Sequence, residues 1–268
     1  SRAVRGTGLG VGGLVIILLL SLWSGQDLFS LLGGGGPLID APQGGGPSAP
    51  ATTSPQEEEL VDFVSFTLDD IQGTWQGLLP GVGTPYQETQ LVLFRDAIDS
   101  ACGFAQSATG PFYCPGDRKV YIDLSFYDQL RTRFGAPGAF AQAYVLAHEI
   151  GHHVQTILGI EGQVRQAQRS RPRQANEYSV AMELQADCLA GVWGNSAARR
   201  GILEPGDIEE GLRAASAIGD DRIQRETTGR VTPDSFTHGS SEQRMFWLRR
   251  GLDTGSPDAC DTFAELGR

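Results

Sequence analysis

Three of the four histidines in this chain, His148, His152 and His153, fall within six positions in the stretch AYVLAHEIGHHVQ, residues 143–155. At about 3.6 residues per turn, His148 and His152 share one face of a helix and His153 is turned roughly 100° away. Two imidazoles one turn apart can grip a single divalent ion, and Glu149, beside the first of them, reaches an ion-held water as a base. His148, Glu149 and His152 thus match H-E-x-x-H, a pattern for Zn2+.

A zinc site that does chemistry needs a third protein ligand and one open position. A motif extended by glycine at 155 and histidine at 158 would supply the ligand, but the chain has Gln155 and Leu158. The other common source is a carboxylate from a following helix. ELQAD, residues 183–187, supplies one: Glu183 is the expected third ligand, and Asp187, one turn on, the expected acceptor for the second ring N–H of a ligand histidine. By itself ELQAD reads as a solvated acidic face. Its place downstream of H-E-x-x-H, at a distance suited to a helix–loop–helix return, favours the site.

His238 is the remaining histidine, in a loop (TPDSFTHGSSEQR) just before the last helical pattern. It is expected to hydrogen-bond a tetrahedral oxyanion with help from Arg244, six residues on; the plainer reading is a surface histidine and a surface arginine. His153 is expected to be a hydrogen-bonded structural residue.

The elements that must hold these residues follow from periodicity. QLVLFR (90–95) and the alternating KVYIDLSF (119–126) read as strands, and FVSFTLDDIQGTWQGLL as a leading strand that merges into a helix. The early strands, especially residues 119–124, are expected to offer an edge to an extended peptide. Past Leu124 the pattern is helical. The H-E-x-x-H helix opens near Pro137 and stops at Gly159; a second long helix covers 175–201; a third opens at Pro205 and runs through EPGDIEEGLRAASAIGDDRI; a last one, SSEQRMFWLRRG, has capping-box spacing at Ser240 and Gln243 and is expected to end at Gly251. Early strands followed by helices predict an α+β fold.

The first residues read differently. Gly6 to Gln26 holds no charged residue, long enough to cross a hydrocarbon core, and Arg2 and Arg5 precede it. This predicts a cytoplasmic N-terminus (1–5), a transmembrane signal anchor (6–26), a Gly/Pro-rich tether (27–59) and a folded domain (60–268) outside the membrane, in the cell envelope. No small-x-small site follows Trp23, which favours a retained anchor over a cleaved signal peptide. The formal net charge of −11 argues against nucleic acid as a partner. Four cysteines, Cys102, Cys114, Cys188 and Cys260, form no C-x-x-C. In an oxidising compartment their even number favours bridges, with Cys102 to Cys114 and Cys188 to Cys260 preferred among three connectivities.

Several long stretches, in order, resemble the bacterial family of neutral zinc metallopeptidases: SACGFAQSATGPFYCPGDRKVYIDLSFYDQL, RFGAPGAFAQAYVLAHEIGHHVQ, ELQADCLAGVW, LEPGDIEEGLRAASAIGDDRIQ and PDSFTHGSSEQRMFWLRRG. The resemblance covers nearly everything after the tether. It implies a compact gluzincin-like fold in which His148, His152 and Glu183 match the zinc positions and Glu149 the catalytic base. THGSSEQR is also similar to a segment of membrane-bound zinc proteases of the prenyl-protein-protease and heat-shock type, where the corresponding histidine and arginine face the substrate. The expected function is a membrane-tethered zinc endopeptidase acting on peptides or proteins. The rival is a non-catalytic envelope binding or assembly module that keeps a structural zinc in a protease fold.

Overall fold

The computed structural model describes residues 54–106, 109–264 and 266. The chain enters as helix α1, Pro55–Leu78, started by Pro55 at its first position and by the Ser54 side chain, which accepts from the Glu57 backbone N–H at 3.3 Å. The expected leading strand is absent. Val64, Phe66 and Thr67 favour strands locally, but Val64, Ile71 and Trp75 recur at helical spacing, and burying that stripe decides the outcome. Helix also begins five residues before Leu60.

Five strands follow: β1 Gln90–Phe94, β2 Ala97–Ser100, β3 Gly103–Gln106, β4 Phe112–Cys114 and β5 Lys119–Asp123. β2 and β3 form a separate antiparallel hairpin, while the three-stranded sheet has the order β1-β5-β4, with β5 parallel to β1 and antiparallel to β4. This corrects one expectation. β5 is the central strand, with Val120 to Asp123 buried, so residues 119–123 have both edges paired. The sheet edge on that side is β4, which the Cys102–Cys114 disulfide ties to the turn between β2 and β3.

Seven further α-helices follow among the described residues: α2 Ser125–Thr132, α3 Ala139–Ile157, α4 Ile160–Ser170, α5 Ala175–Arg199, α6 Asp207–Ala217, α7 Asp220–Thr228 and α8 Ser241–Thr254. The fold is α+β, a small sheet followed by helices, with α1 in front. α3 is buried along most of its length and shares one core with α1, β5, α5 and α8 through Ile71, Trp75, Ile122, Ile150, Val192 and Leu248. Its N-terminus has no side-chain cap of its own; the α6 Glu210 carboxylate sits there, where a Cβ on Gly138 would lie 1.1 Å from Oε2. A negative charge is favoured at that end of a helix.

Glycine sets how closely α5 can be approached. A Cβ on Gly151 of α3 would lie 3.0 Å from the Ala186 carbonyl oxygen, and one on Gly191 of α5 would lie 2.2 Å from that of Leu248. Gly251, expected to end the last helix, lies inside α8, where a Cβ would fall 2.0 Å from the Cys188 carbonyl oxygen; the stop is Gly255, at φ 59°. The expected third helix is two, α6 and α7, broken at Ile218 and Gly219. A Cβ on Gly219 would lie 2.4 Å from the Ser241 backbone nitrogen, so the break lets the start of α8 pack against the start of α7. The second disulfide, Cys188–Cys260, fastens the tail to α5.

The expected localisation, a single-pass cell-membrane protein with a cytoplasmic N-terminus and an extracytoplasmic domain, is corrected. No helix among the described residues is long and apolar enough to cross a membrane. The two longest, α1 and α5, carry acidic side chains along their length, including Asp69, Asp70, Glu183 and Asp187. Residues 6–26, which prompted that reading, lie outside the described residues.

Candidate metal centre

α3 and α5 cross closely at Gly151 and Ala186, which brings their polar side chains together one turn away. His148 and His152 stand edge to face with ring centroids 4.8 Å apart. Across from them, Glu183 Oε2 lies 3.1 Å from Nε2 of His148 and Oε1 lies 3.4 Å from Nε2 of His152. Ligand atoms of these three residues all fall within 4.8 Å of one another, the one such group of His, Cys, Asp or Glu among the described residues.

The other ring nitrogens are held from behind. His148 Nδ1 lies 2.8 Å from Asp187 Oδ1, and His152 Nδ1 lies 2.8 Å from Gln155 Oε1. Gln155 can be oriented from its own partners. Its Nε2 donates to the Met182 carbonyl at 2.8 Å and to Gln185 Oε1 at 3.0 Å, so its Oε1 is the acceptor and His152 Nδ1 must carry the proton. Gln185 is fixed in turn by donating to the Cys260 carbonyl at 2.9 Å. With Nδ1 of each ring engaged from behind, Nε2 is the nitrogen that both imidazoles turn toward Glu183, the one left to bind a metal. Two imidazole nitrogens and one carboxylate fit zinc with a position left open.

The groups behind the histidines are buried and charged. Asp187 is fully buried, accepting from Arg244 Nε at 2.8 Å, Arg244 Nη2 at 2.9 Å and the Tyr144 hydroxyl at 2.6 Å. Burial alone would raise its pKa, but Arg244 and His148 bring it down to about 2. Burial would likewise lower the His148 pKa, yet Asp187 and Glu183 carry it up to about 10. Surroundings that favour a positive charge on this ring also favour a divalent cation beside it.

Glu149 lies next to His148 on α3, 7% exposed, and lines a cleft together with Tyr113 of β4. Burial raises its pKa above the ordinary value, against the pull of the two histidines and the Tyr113 N–H. The cleft, of about 540 Å³, opens over these groups and is lined also by Phe112 of β4 and by Phe126, Val145, Ile218 and His238.

His238 lines that cleft with about half its side chain exposed, and its Nδ1 lies 3.3 Å from Asp220 Oδ1. Arg244 lines the cleft as well, 3% exposed, and its guanidinium is held by Asp187 and Tyr144 behind the two histidines. His153 is buried, with Nδ1 3.0 Å from the Tyr113 hydroxyl and Nε2 2.6 Å from the Gln87 carbonyl, and it ties α3 to the sheet. Sequence reasoning missed Tyr144, Gln155 and Asp220. Tyr144 and Gln155 stand one turn before His148 and one after His152, a spacing that signals contact on a helix; Asp220 carries no local signal.

A family model described as "Putative neutral zinc metallopeptidase" matches residues 2–263. The chain belongs to that family. This metallopeptidase family member is 49% identical over 259 residues to "Uncharacterized protein YpfJ" of Escherichia coli (strain K12), covering 96% of this chain and 88% of that one. It is 45% identical over 214 residues to "Uncharacterized protein Rv2575" of Mycobacterium tuberculosis (strain ATCC 25618 / H37Rv), covering 75% of this chain and 70% of that one. No solved structure matches it. Family membership implies zinc and a peptide or protein substrate, and the His148, His152 and Glu183 group is the place in the described residues where a metal can be held.

Proposed function

We propose that this protein is a zinc-dependent endopeptidase in which Glu149 is the general base. The observation that carries the reading is the convergence of His148 Nε2, His152 Nε2 and a Glu183 carboxylate oxygen, with Glu149 beside them on the floor of an open cleft. Those three residues would hold zinc, which would supply the Lewis acidity to activate water near neutral pH and polarise a carbonyl.

The chain's own residues do the rest. Glu149 accepts a proton from the attacking water and returns it to the leaving amine, a shuttle suited to a buried carboxyl with a raised pKa. His238, at the cleft wall, donates from Nε2 to the oxygen that gains negative charge. Among the described residues β4 pairs only with β5, so an extended peptide can lie along its other edge by strand addition, the part expected of the early strands and of residues 119–124 above all. Asp187 and Gln155 keep the ligand rings in one tautomer and orientation.

The test compares wild type with Glu149→Gln for zinc per chain and for cleavage of a broad peptide library. Zinc retained with cleavage lost in the variant supports the reading. A zinc-loaded wild type that cleaves nothing overturns it and favours the binding or assembly module.

A further inference from the structure

His238 sits in a loop, and a loop side chain can act at a developing charge only if it is held still. The structure holds this one with a single carboxylate from another element. Asp220 opens α7, 18 residues before His238. Its Oδ2 accepts from the backbone N–H groups of Thr237 at 2.7 Å, His238 at 2.7 Å and Gly239 at 3.1 Å. Its Oδ1 lies 3.3 Å from His238 Nδ1, and its own N–H donates to the Gly239 carbonyl at 2.9 Å. Thr237 Oγ1 is 3.0 Å from the same ring nitrogen.

Two glycines make this approach possible. Gly219 lets α7 begin against Ser241, and Gly239, at φ 93°, turns the loop where a Cβ would lie 3.1 Å from Leu184 Cδ2, the neighbour of the ligand Glu183. The loop is thus wedged between the start of α7 and the ligand-bearing turn of α5. Nearly every bond to Asp220 comes from the residues around His238, and bonds to an ionised carboxylate are about twice as strong as neutral ones.

We infer that Asp220 is the positioning residue for His238: it fixes the loop backbone and engages Nδ1, so that Nε2 faces the cleft as the donor to the substrate oxyanion. The inference rests on the oxyanion role proposed above. A carboxylate at Nδ1 also favours the doubly protonated ring, the form with a proton on each nitrogen.

The experiment uses the full zinc-loaded chain. kcat and KM for a cleaved peptide are measured for wild type, Asp220→Asn, His238→Ala and the double variant, and ring 15N resonances are recorded for wild type and Asp220→Asn. Asn keeps an oxygen for the backbone N–H groups while removing the charge. Expected are a fall in kcat of about 10- to 100-fold in Asp220→Asn, a KM within about 2-fold, unchanged zinc, and a double variant no slower than His238→Ala. The His238 ring signals move in Asp220→Asn, a readout that needs no substrate. A full kcat in Asp220→Asn beside an impaired His238→Ala, losses that multiply in the double variant, or unmoved ring signals each overturn the positioning role. A full kcat in His238→Ala instead sinks the oxyanion reading beneath it.

Discussion

Asp187 holds His148 by a 2.8 Å contact between Oδ1 and Nδ1, and it does so from a position with no solvent exposure at all. The same carboxylate is gripped from the far side by Arg244 and Tyr144, so the orientation of a ligand ring is set by a buried network running from α3 through α5 to α8.

Replacing Asp187 by Asn should weaken zinc about 10- to 100-fold, because the amide holds the ring less firmly and lowers its basicity. Competition with a chromophoric chelator reads this directly. Arg244→Met should instead unfold the chain more readily, by about 3–5 kcal/mol, since it strands a buried carboxylate. Chemical denaturation separates the two effects, and an Arg244→Met protein of wild-type stability would contradict the network.

Glycine positions should divide sharply. Gly191→Ala puts a methyl 2.2 Å from the Leu248 carbonyl oxygen, a backbone clash that no rotamer relieves, and about 1–3 kcal/mol of stability should be lost. Gly73→Ala, in α1 with nothing within 4 Å of the new Cβ, should gain about 0.5–1 kcal/mol. Urea midpoints for the two variants should move in opposite directions.

The Asp70 carboxylate joins α1 to α5. It pairs with Arg200 through Nη1 and, at 2.8 Å, Nη2, and it accepts from Trp193 Nε1 at 2.8 Å. Burial would raise its pKa, but Arg200 and Trp193 hold it below the ordinary 3.8. A folded pKa below the unfolded one gives stability that is present above pH 3.8 and lost as pH falls through the folded value. Asp70→Asn should therefore be less stable than wild type at pH 7, and the gap should close as the pH drops below about 4. A gap that stays constant from pH 7 to 3 would count against the ion pair.

The two disulfides should differ in weight. Cys188 and Cys260 are 72 residues apart, Cys102 and Cys114 only 12. Chain-entropy arguments give about 4 kcal/mol for the first and about 3 kcal/mol for the second. Paired Cys→Ala variants in thermal unfolding should show the larger loss for the 188–260 bridge, which also carries the Cys260 carbonyl that fixes Gln185 and through it Gln155.

The metal-facing residues were readable because their relationship is local. His148 and His152, like Glu183 and Asp187, are four apart on one helix, and helical geometry alone puts each pair on a single face. What escaped is tertiary. Gly251 looks the same in a sequence whether it ends a helix or lets another backbone pass, and only the nearness of Cys188 distinguishes the two. β5 shows alternation but not how many neighbours it has. The β-rich letters of FVSFTL lose to a buried stripe that extends to Trp75, well beyond a local window. The spacing of Arg244 from His238 likewise gives no sign that the turn of α8 brings its guanidinium onto Asp187.

β4 is only three residues long, the edge strand of its sheet among the described residues, and it lines the cleft through Phe112 and Tyr113. A polypeptide that zips onto so short a ledge must arrive with its own main-chain groups unclaimed, and few stretches of a natively folded protein meet that condition. Under the strand-addition reading proposed above, such a ledge would sort clients by slackness before side chain: frayed ends, unravelled loops and damaged chains would gain admission, and intact neighbours would be passed over.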